Sequence, residues 1–242
     1  DETDDDIQLD GAPLPVEDHS PGDGLVSSRL NLGREPRRVP DRYVPVSAAL
    51  APPARPYFLY IGSSPRREGD LRSFVESAGV HTVVEIDLLV GGYDHDITHP
   101  AVQRRVLSLA AADRCKGAFI SIPCKTFSVL RGKSGVPNSY PLRDLDNVLG
   151  IPRADGTISH KVHASNVMSD FAAQVMLALH AKGAVFAAES PPSRAAHSRF
   201  PIEGREKHAS QFDHPAWVRT REATGADFIY FDQCPFFDDP AS

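Results

Sequence analysis

The sequence predicts an α/β protein with a Rossmann-like, doubly wound and mostly parallel sheet. Two observations support this prediction, the alternation of elements along the chain and the length of the chain. From Tyr57 onward, short apolar runs typical of buried strands alternate with segments whose apolar residues recur at helical spacing. Such alternation implies βαβ units, which bring parallel strands side by side through right-handed crossovers. The 242 residues are enough for one large domain of this kind.

Five strands are expected, each from a short apolar run. They cover residues 57–62, 82–89, 117–123, 183–189 and 226–232. Helices are predicted at residues 71–78, from residue 100 onward, at 162–182 and at 215–223. The first helix has one apolar face and ends at Gly79. The side chains expected to be buried in the next two helices are Val102, Val106, Leu109, Val167, Phe171, Val175 and Leu179.

The connection that follows Cys124 is polar, rich in Gly and Pro, and about 30 residues long. Loops of this length inside a compact domain are usually functional. The sequence therefore predicts that this loop has a functional role.

The chain divides by composition near residue 55. Residues 1–55 show neither helical nor strand periodicity, and we expect them to form an extension outside the sheet, with residues 56–242 as the α/β domain. Residues 1–24 contain nine acidic and no basic residues and therefore carry a charge of −9. The rest of the chain carries +3, which gives the net charge of −6. A basic remainder suits nucleic-acid binding, and it equally suits an ordinary solvated surface.

Several classes of protein are disfavoured. No apolar stretch approaches the roughly 20 residues of a membrane span, so no membrane partner is expected. The acidic N-terminus contains no apolar segment of a secretory signal, and three cysteines are too few for a disulfide scaffold. An intracellular protein, nuclear or cytoplasmic, is therefore predicted.

Common short motifs are absent from the sequence. It contains no Walker A loop, no GxGxxG after the first strand and no GxSxG. The pairs His95/His99 and His160/His163 have spacings that a metal could use, but isolated surface histidines explain them more simply. No metal site is predicted.

The strand ends carry the candidate chemistry, because ligands of parallel sheets bind beyond the carboxyl ends of the strands. Cys124 directly follows the third predicted strand, and Glu189 ends the fourth. If these strands are neighbours, about 4.8 Å apart, both side chains open into one cleft. A cysteine beside a carboxylic acid suits covalent attack on a ring carbon, with the acid engaging a ring nitrogen. A buried structural cysteine and a capping glutamate remain the alternative.

The segment around Cys124 resembles the signature of the C5-cytosine DNA methyltransferases, in which Pro-Cys-Gln precedes Phe-Ser. This chain has Pro123-Cys124-Lys125 and then Phe127-Ser128. Other segments follow the family's order: Tyr60-Ile61-Gly62, Val84-Glu85-Ile86-Asp87, His95-Asp96-Ile97-Thr98 and Ala188-Glu189-Ser190. The resemblance covers residues 57–189.

The resemblance implies an S-adenosylmethionine-dependent methyltransferase acting on nucleic acid, DNA rather than RNA. Cys124 would attack C6 of a flipped cytosine, and Glu189 would engage the ring nitrogen. The implied cofactor-binding residues are Tyr60, Gly62, Glu85, Asp87, Asp96, Ile97 and Pro123. The implied nucleic-acid-binding residues are Lys125, Phe127, Ser128, Arg131 and Arg194.

The chain also departs from the family pattern. Residues 63–70 replace the Gly-rich turn, Lys125 replaces Gln, and no Gln-x-Arg-x-Arg segment is found. We expect the chain to lack a target-recognition domain. Divergent methylase-like domains of mobile-element and viral polyproteins look similar, so the rest of a polyprotein is a further expected partner. The alternative hypothesis is a catalytically degenerate module of this fold that binds nucleic acid or protein.

Overall fold

A four-stranded, all-parallel sheet forms the centre of the protein. The computed structural model describes residues 50–65, 69–79, 82–129 and 140–230. The strands are β1 (Tyr57–Ile61), β2 (Thr82–Ile86), β3 (Cys115–Ile120) and β4 (Val185–Ala188). Their order is β2-β1-β3-β4, so the winding direction reverses between β1 and β3. This Rossmann-like α/β arrangement confirms the predicted fold class.

Five α-helices connect or flank the strands of the described residues. They are α1 (Leu71–Ser77), α2 (Leu88–Gly91), α3 (Pro100–Ala111), α4 (His160–Ala181) and α5 (Pro215–Thr224). Proline occupies the first turn of α3 and of α5, where its missing N–H costs nothing. Gly225 ends α5 in the left-handed conformation. In the described ranges, no helix combines the length and apolar character that crossing a membrane requires.

The main core lies between one face of the sheet and helices α3 and α4. Its sheet side includes Leu59, Ile61, Val84, Ile86, Ala118 and Ile120. The predicted burial is confirmed for six helical residues: Val102, Val106, Leu109, Phe171, Val175 and Leu179. Val167 is only half-buried. The 3.6-residue periodicity therefore identified the inward faces of the two longest helices.

Packing begins before the predicted domain boundary. Leu50 is completely buried in the core, and its carbonyl accepts a hydrogen bond from Arg105 Nε at 2.8 Å. The sequence had placed Leu50 in the extension. Residues 1–49 of that extension lie outside the described residues.

The predicted fifth strand is wrong for the part that the structure describes. Residues 226–230 are irregular and make no ladder with β4. Their aromatic side chains pack on other rings instead, with Phe228 on Phe212 at 4.9 Å and Tyr230 on Phe200 at 5.4 Å between ring centroids. Residues 231 and 232 lie outside the described ranges.

Helix α1 is present but lies outside the apolar core. It has no buried residue, and Phe74 on its expected inward face is 73% exposed. The helix packs near β2 through Arg72, which pairs with Glu85. An ion pair replaces the apolar contact that the periodicity predicted.

Candidate functional site

The turns after β1, β2 and β3 are held together at the carboxyl end of the sheet. The Gly62 N–H donates to Ile86 O at 2.8 Å, and the Ser121 N–H donates to Ile61 O at 2.8 Å. Gly62 has φ +75°, and a Cβ there would lie 2.1 Å from Ser121 O. Only glycine therefore fits this close crossing of two backbones.

Asp87 connects the β1 turn to the end of β2. Its Oδ1 accepts from the Leu89 N–H at 2.7 Å and so caps α2. Its Oδ2 accepts from the Ser64 N–H at 3.0 Å. Ser64 has φ 60°, which is unusual for a residue other than glycine, and Asp87 stabilises this conformation. Asp87 thus lies at the Gly62 turn, and a cofactor role for it stays a prediction.

Glu85 alternates along β2 with the core residues Val84 and Ile86, so its side chain lies on the other face of the sheet. It stands opposite Tyr60 in the register of β1 and β2, and Arg72 Nη1 donates to its carboxylate. Arg72 Nε also contacts Glu76 at 2.9 Å. The Glu85 carboxylate is therefore held by α1, and a cofactor role for it stays a prediction. Tyr60, 8% exposed, packs edge-on against Phe119 on the same face.

Asp96 and Ile97 form a local turn before α3. Asp96 Oδ1 accepts from the Thr98 N–H at 2.9 Å and from the Thr98 hydroxyl at 2.6 Å. Ile97 belongs to the buried core. The structure assigns both residues a folding role, and their cofactor roles stay predictions.

Two buried polar atoms near Asp87 have no hydrogen-bond partner among the residues that the structure describes. Ser63 Oγ and His95 Nε2 belong to residues that are 5% and 6% exposed. His95 Nδ1 accepts from the Asp87 N–H at 3.4 Å, so Nε2 carries the proton of the neutral ring. Burial lowers the pKa of His95 and keeps the ring neutral. Unsatisfied buried groups of this kind are typical of a site that a polar ligand or water completes.

Cys124 and Glu189 follow two neighbouring strands, as the cleft hypothesis requires. The Glu189 N–H donates to Ile120 O at 2.9 Å and extends the pairing of β4 with β3. Cys124 is half-buried and begins a 3-10 turn, Lys125–Phe127. Burial raises the pKa of the Cys124 thiol, and the negative charge of Glu189 raises it further. The two side chains therefore interact electrostatically.

His208 joins the two loops that carry these residues. Its Nε2 bonds Phe127 O at 2.9 Å, and its Nδ1 accepts from the Arg194 N–H at 3.0 Å. This pattern fixes the neutral ring with the proton on Nε2. Burial lowers the pKa of His208, which favours the same state. The sequence carried no signal for this role, because Phe127 and His208 lie 81 residues apart.

Arg143 anchors the long loop after Cys124. It is 4% exposed, its Nε donates to Thr126 Oγ1 at 3.2 Å, and its Nη1 donates to Asn166 Oδ1 at 2.7 Å. The guanidinium carbon lies 4.0 Å from the centroid of the Phe127 ring. Burial lowers the pKa of Arg143 to about 10. Phe127, predicted to bind nucleic acid, is itself 4% exposed beneath this arginine.

The other predicted nucleic-acid-binding residues are spread around this region. Lys125 is exposed and Ser128 is half-buried. Arg131 lies outside the described residues. Arg194 is half-buried and lies over the Phe200 ring at 5.7 Å.

A cavity of about 600 Å³ opens beyond the end of β4. Glu189 lines it together with Arg194, Arg199, Phe200, Phe228 and Tyr230, whereas Cys124 does not. Pro123 next to Cys124 is exposed. Within the described ranges, no three His, Cys, Asp or Glu side chains come together to hold a metal ion.

The chain matches no known family model, no curated protein and no solved structure. The site must therefore be interpreted from its own geometry.

Proposed function

We propose that the chain is an S-adenosylmethionine-dependent, cytosine-C5 methyltransferase-like domain that acts on nucleic acid through Cys124. One observation carries the proposal. Cys124 and Glu189 leave neighbouring parallel strands at the same edge of the sheet, close enough for the Glu189 charge to raise the pKa of the thiol. This arrangement supports a nucleophile and an acid that act at the end of the sheet where α/β folds bind ligands.

The roles of the two residues follow from their chemistry. The Cys124 thiolate would form a bond to C6 of cytosine, which makes C5 nucleophilic. The Glu189 carboxyl group would hydrogen-bond the ring nitrogen and offset the charge that develops there. After methylation, loss of the C5 proton to a base expels the thiolate and restores the ring. The base must leave the stack first, because C5 and C6 of a paired cytosine are inaccessible to a side chain.

Residues at the Gly62 turn suit a polar cofactor. S-adenosylmethionine, when bound, supplies the methyl group. The Gly62 turn follows β1 at the carboxyl end of the sheet, where α/β folds bind ligands, and Asp87 holds the turn in place. The unpartnered Ser63 Oγ and His95 Nε2 are the donors and acceptors that such a ligand would satisfy.

The test is covalent trapping on an oligonucleotide that contains 5-fluorocytosine, because fluorine at C5 prevents release of the thiolate. With S-adenosylmethionine present, the wild-type chain is expected to form an adduct that survives denaturing electrophoresis. Cys124→Ser should form none, because a hydroxyl is a far poorer nucleophile at neutral pH. Cys234→Ser is the matched control and should trap normally. Failure of the wild-type chain to form an adduct would contradict the proposal.

A second candidate is a binding module of the same fold without turnover. The raised pKa of Cys124 favours it, since a protonated thiol is a weak nucleophile. Calorimetry separates the two candidates. A module would bind the oligonucleotide and give no heat with S-adenosylmethionine, whereas the enzyme would bind both.

A further inference from the structure

The cavity beyond β4 has features that cytosine chemistry does not require. We call it the aromatic groove and define it by Arg194, Arg199, Phe200, Phe228 and Tyr230. Glu189 lies at the same cavity, so the groove adjoins the candidate catalytic acid. Its volume of about 600 Å³ falls within the range of about 300–1,000 Å³ that small-ligand sites occupy.

The rings of the groove form a continuous row that remains open to solvent. Phe200 and Tyr230 lie 5.4 Å apart, and Tyr230 and Phe228 lie 6.0 Å apart between centroids. The three side chains are 36%, 43% and 39% exposed, respectively. Rings that packed only against one another would be less exposed to solvent than these are. A row of partly exposed rings along a concavity is typical of a binding surface.

Two arginines accompany the rings, and no carboxylate of the described residues forms an ion pair with either of them. The Arg199 guanidinium lies 4.9 Å from the Tyr230 centroid and 5.5 Å from that of Phe200. Arg194 lies 5.7 Å from the Phe200 centroid. Among the described residues, the side-chain ion pairs join Arg72 to Glu76 and Glu85, and Lys207 to Asp146, so neither groove arginine has one. The positive charge is available to an anionic ligand.

We propose that the aromatic groove binds an unpaired nucleotide of a single-stranded nucleic acid, adjacent to the base at Glu189. Stacking on rings and pairing of phosphate with arginine are the two interactions by which proteins hold single strands. An apolar peptide would leave the two guanidinium groups unused, and an acidic peptide would leave the rings unused. A duplex hides the faces of its bases in the stack. The inference rests on the proposed function in taking nucleic acid as the substrate.

The test measures fluorescence anisotropy of a labelled oligothymidylate of about twelve nucleotides, a length within the range that single-strand-binding folds cover. Phe200→Ala and Tyr230→Ala should each weaken binding at least about fivefold, since loss of one stacked base costs at least about 1 kcal/mol. Tyr230→Trp keeps a ring and should retain binding. Arg199→Ala should lower the slope of log affinity against log salt by about 0.7.

The controls are Phe74→Ala, which removes an exposed ring from α1, and Arg104→Ala, which removes an exposed arginine from α3. Both should bind like the wild-type chain. The same sequence annealed into a duplex should bind more weakly than the single strand. Equal or tighter binding of the duplex, or groove variants that match the controls, would overturn the inference. Binding of thymidine monophosphate without binding of the oligonucleotide would overturn it as well.

The outcomes also separate this inference from the proposed function. Single-strand binding that depends on the groove, without adduct formation at Cys124, would remove the methyltransferase proposal and leave the groove assignment standing. Adduct formation that proceeds normally in Phe200→Ala and Tyr230→Ala, with unchanged affinity for the single strand, would remove the groove assignment alone.

Discussion

The reactivity of Cys124 reports directly on its neighbour Glu189. Because the carboxylate raises the pKa of the thiol, Glu189→Gln should lower that pKa and increase the thiolate fraction at a given pH. Alkylation of Cys124 by iodoacetamide, followed by peptide mass spectrometry, should therefore be faster in Glu189→Gln, and its pH profile should move to lower pH.

Two residues provide controls for the alkylation experiment. Glu222→Gln neutralises an exposed carboxylate on α5 and should leave the Cys124 profile unchanged. Cys115 is 1% exposed and should stay unlabelled in the folded chain. Identical profiles for wild type and Glu189→Gln would show that the two side chains do not interact, and the proposed pairing would fail.

At the residue scale, the sequence predicted where the candidate site residues lie in the fold better than it predicted which residues they contact. Cys124, Glu189 and Asp87 lie near strand ends, because apolar runs mark where buried strands stop. Glu85 lies one residue before the end of β2. Because side chains alternate between the two faces of a strand, Glu85 lies on the face opposite to the core and contacts Arg72 there. A contact of this kind depends on how α1 packs, which the spacing of residues in one strand does not encode.

At the scale of elements, His208 positions the loop after β3 relative to the loop after β4. His208→Ala removes both ring hydrogen bonds and should lower the free energy of unfolding by about 1–3 kcal/mol. It should also speed hydrogen exchange at residues 125–128 and 193–195 and change the alkylation rate of Cys124. His208→Gln offers one donor and one acceptor, so it should restore part of each effect.

The matched control for His208 is His197, an exposed histidine on the same connection. His197→Ala should behave like the wild-type chain in urea unfolding and in hydrogen exchange. If His208→Ala is indistinguishable from His197→Ala, the link between the two loops contributes nothing to the site, and the positioning role is wrong.

Elements with strong local signals were predictable, and elements defined by distant packing were not. Helices α3 and α4 are the two longest and show helical periodicity, and six of their seven predicted core residues are buried. The apolar run at residues 226–230 has the composition of a strand, but its rings found aromatic partners in Phe200 and Phe212. Tertiary contacts thereby overrode a local preference. Arg143 went unnoticed for the same reason, since its acceptors come from α4 and two loop segments.

At the scale of the whole molecule, two buried histidines, His95 and His214, and the half-buried His208 link folding to pH. The pKa values of His95, His208 and His214 are all lowered, with burial as the largest cause, and that of His214 falls to about 4. His214 is 1% exposed and caps α5 by accepting from the Ala216 N–H at 3.3 Å. Its neutral form is therefore part of the folded structure, and protonation competes with folding.

The expected consequence is acid destabilisation in a defined window. Between pH 6.5, the ordinary value for histidine, and about 4, the unfolded chain binds a proton at His214 that the folded chain does not. Stability is therefore complete above this window and declines as the pH falls through it, by up to about 3 kcal/mol from this residue. Urea unfolding at several pH values from 7.5 to 4.5 measures the decline.

His214→Asn keeps a capping oxygen without titrating, so its free energy of unfolding should fall less on acidification. His160→Asn, at an exposed position in α4, should keep the wild-type slope, and equal slopes in all three proteins would refute the assignment to His214.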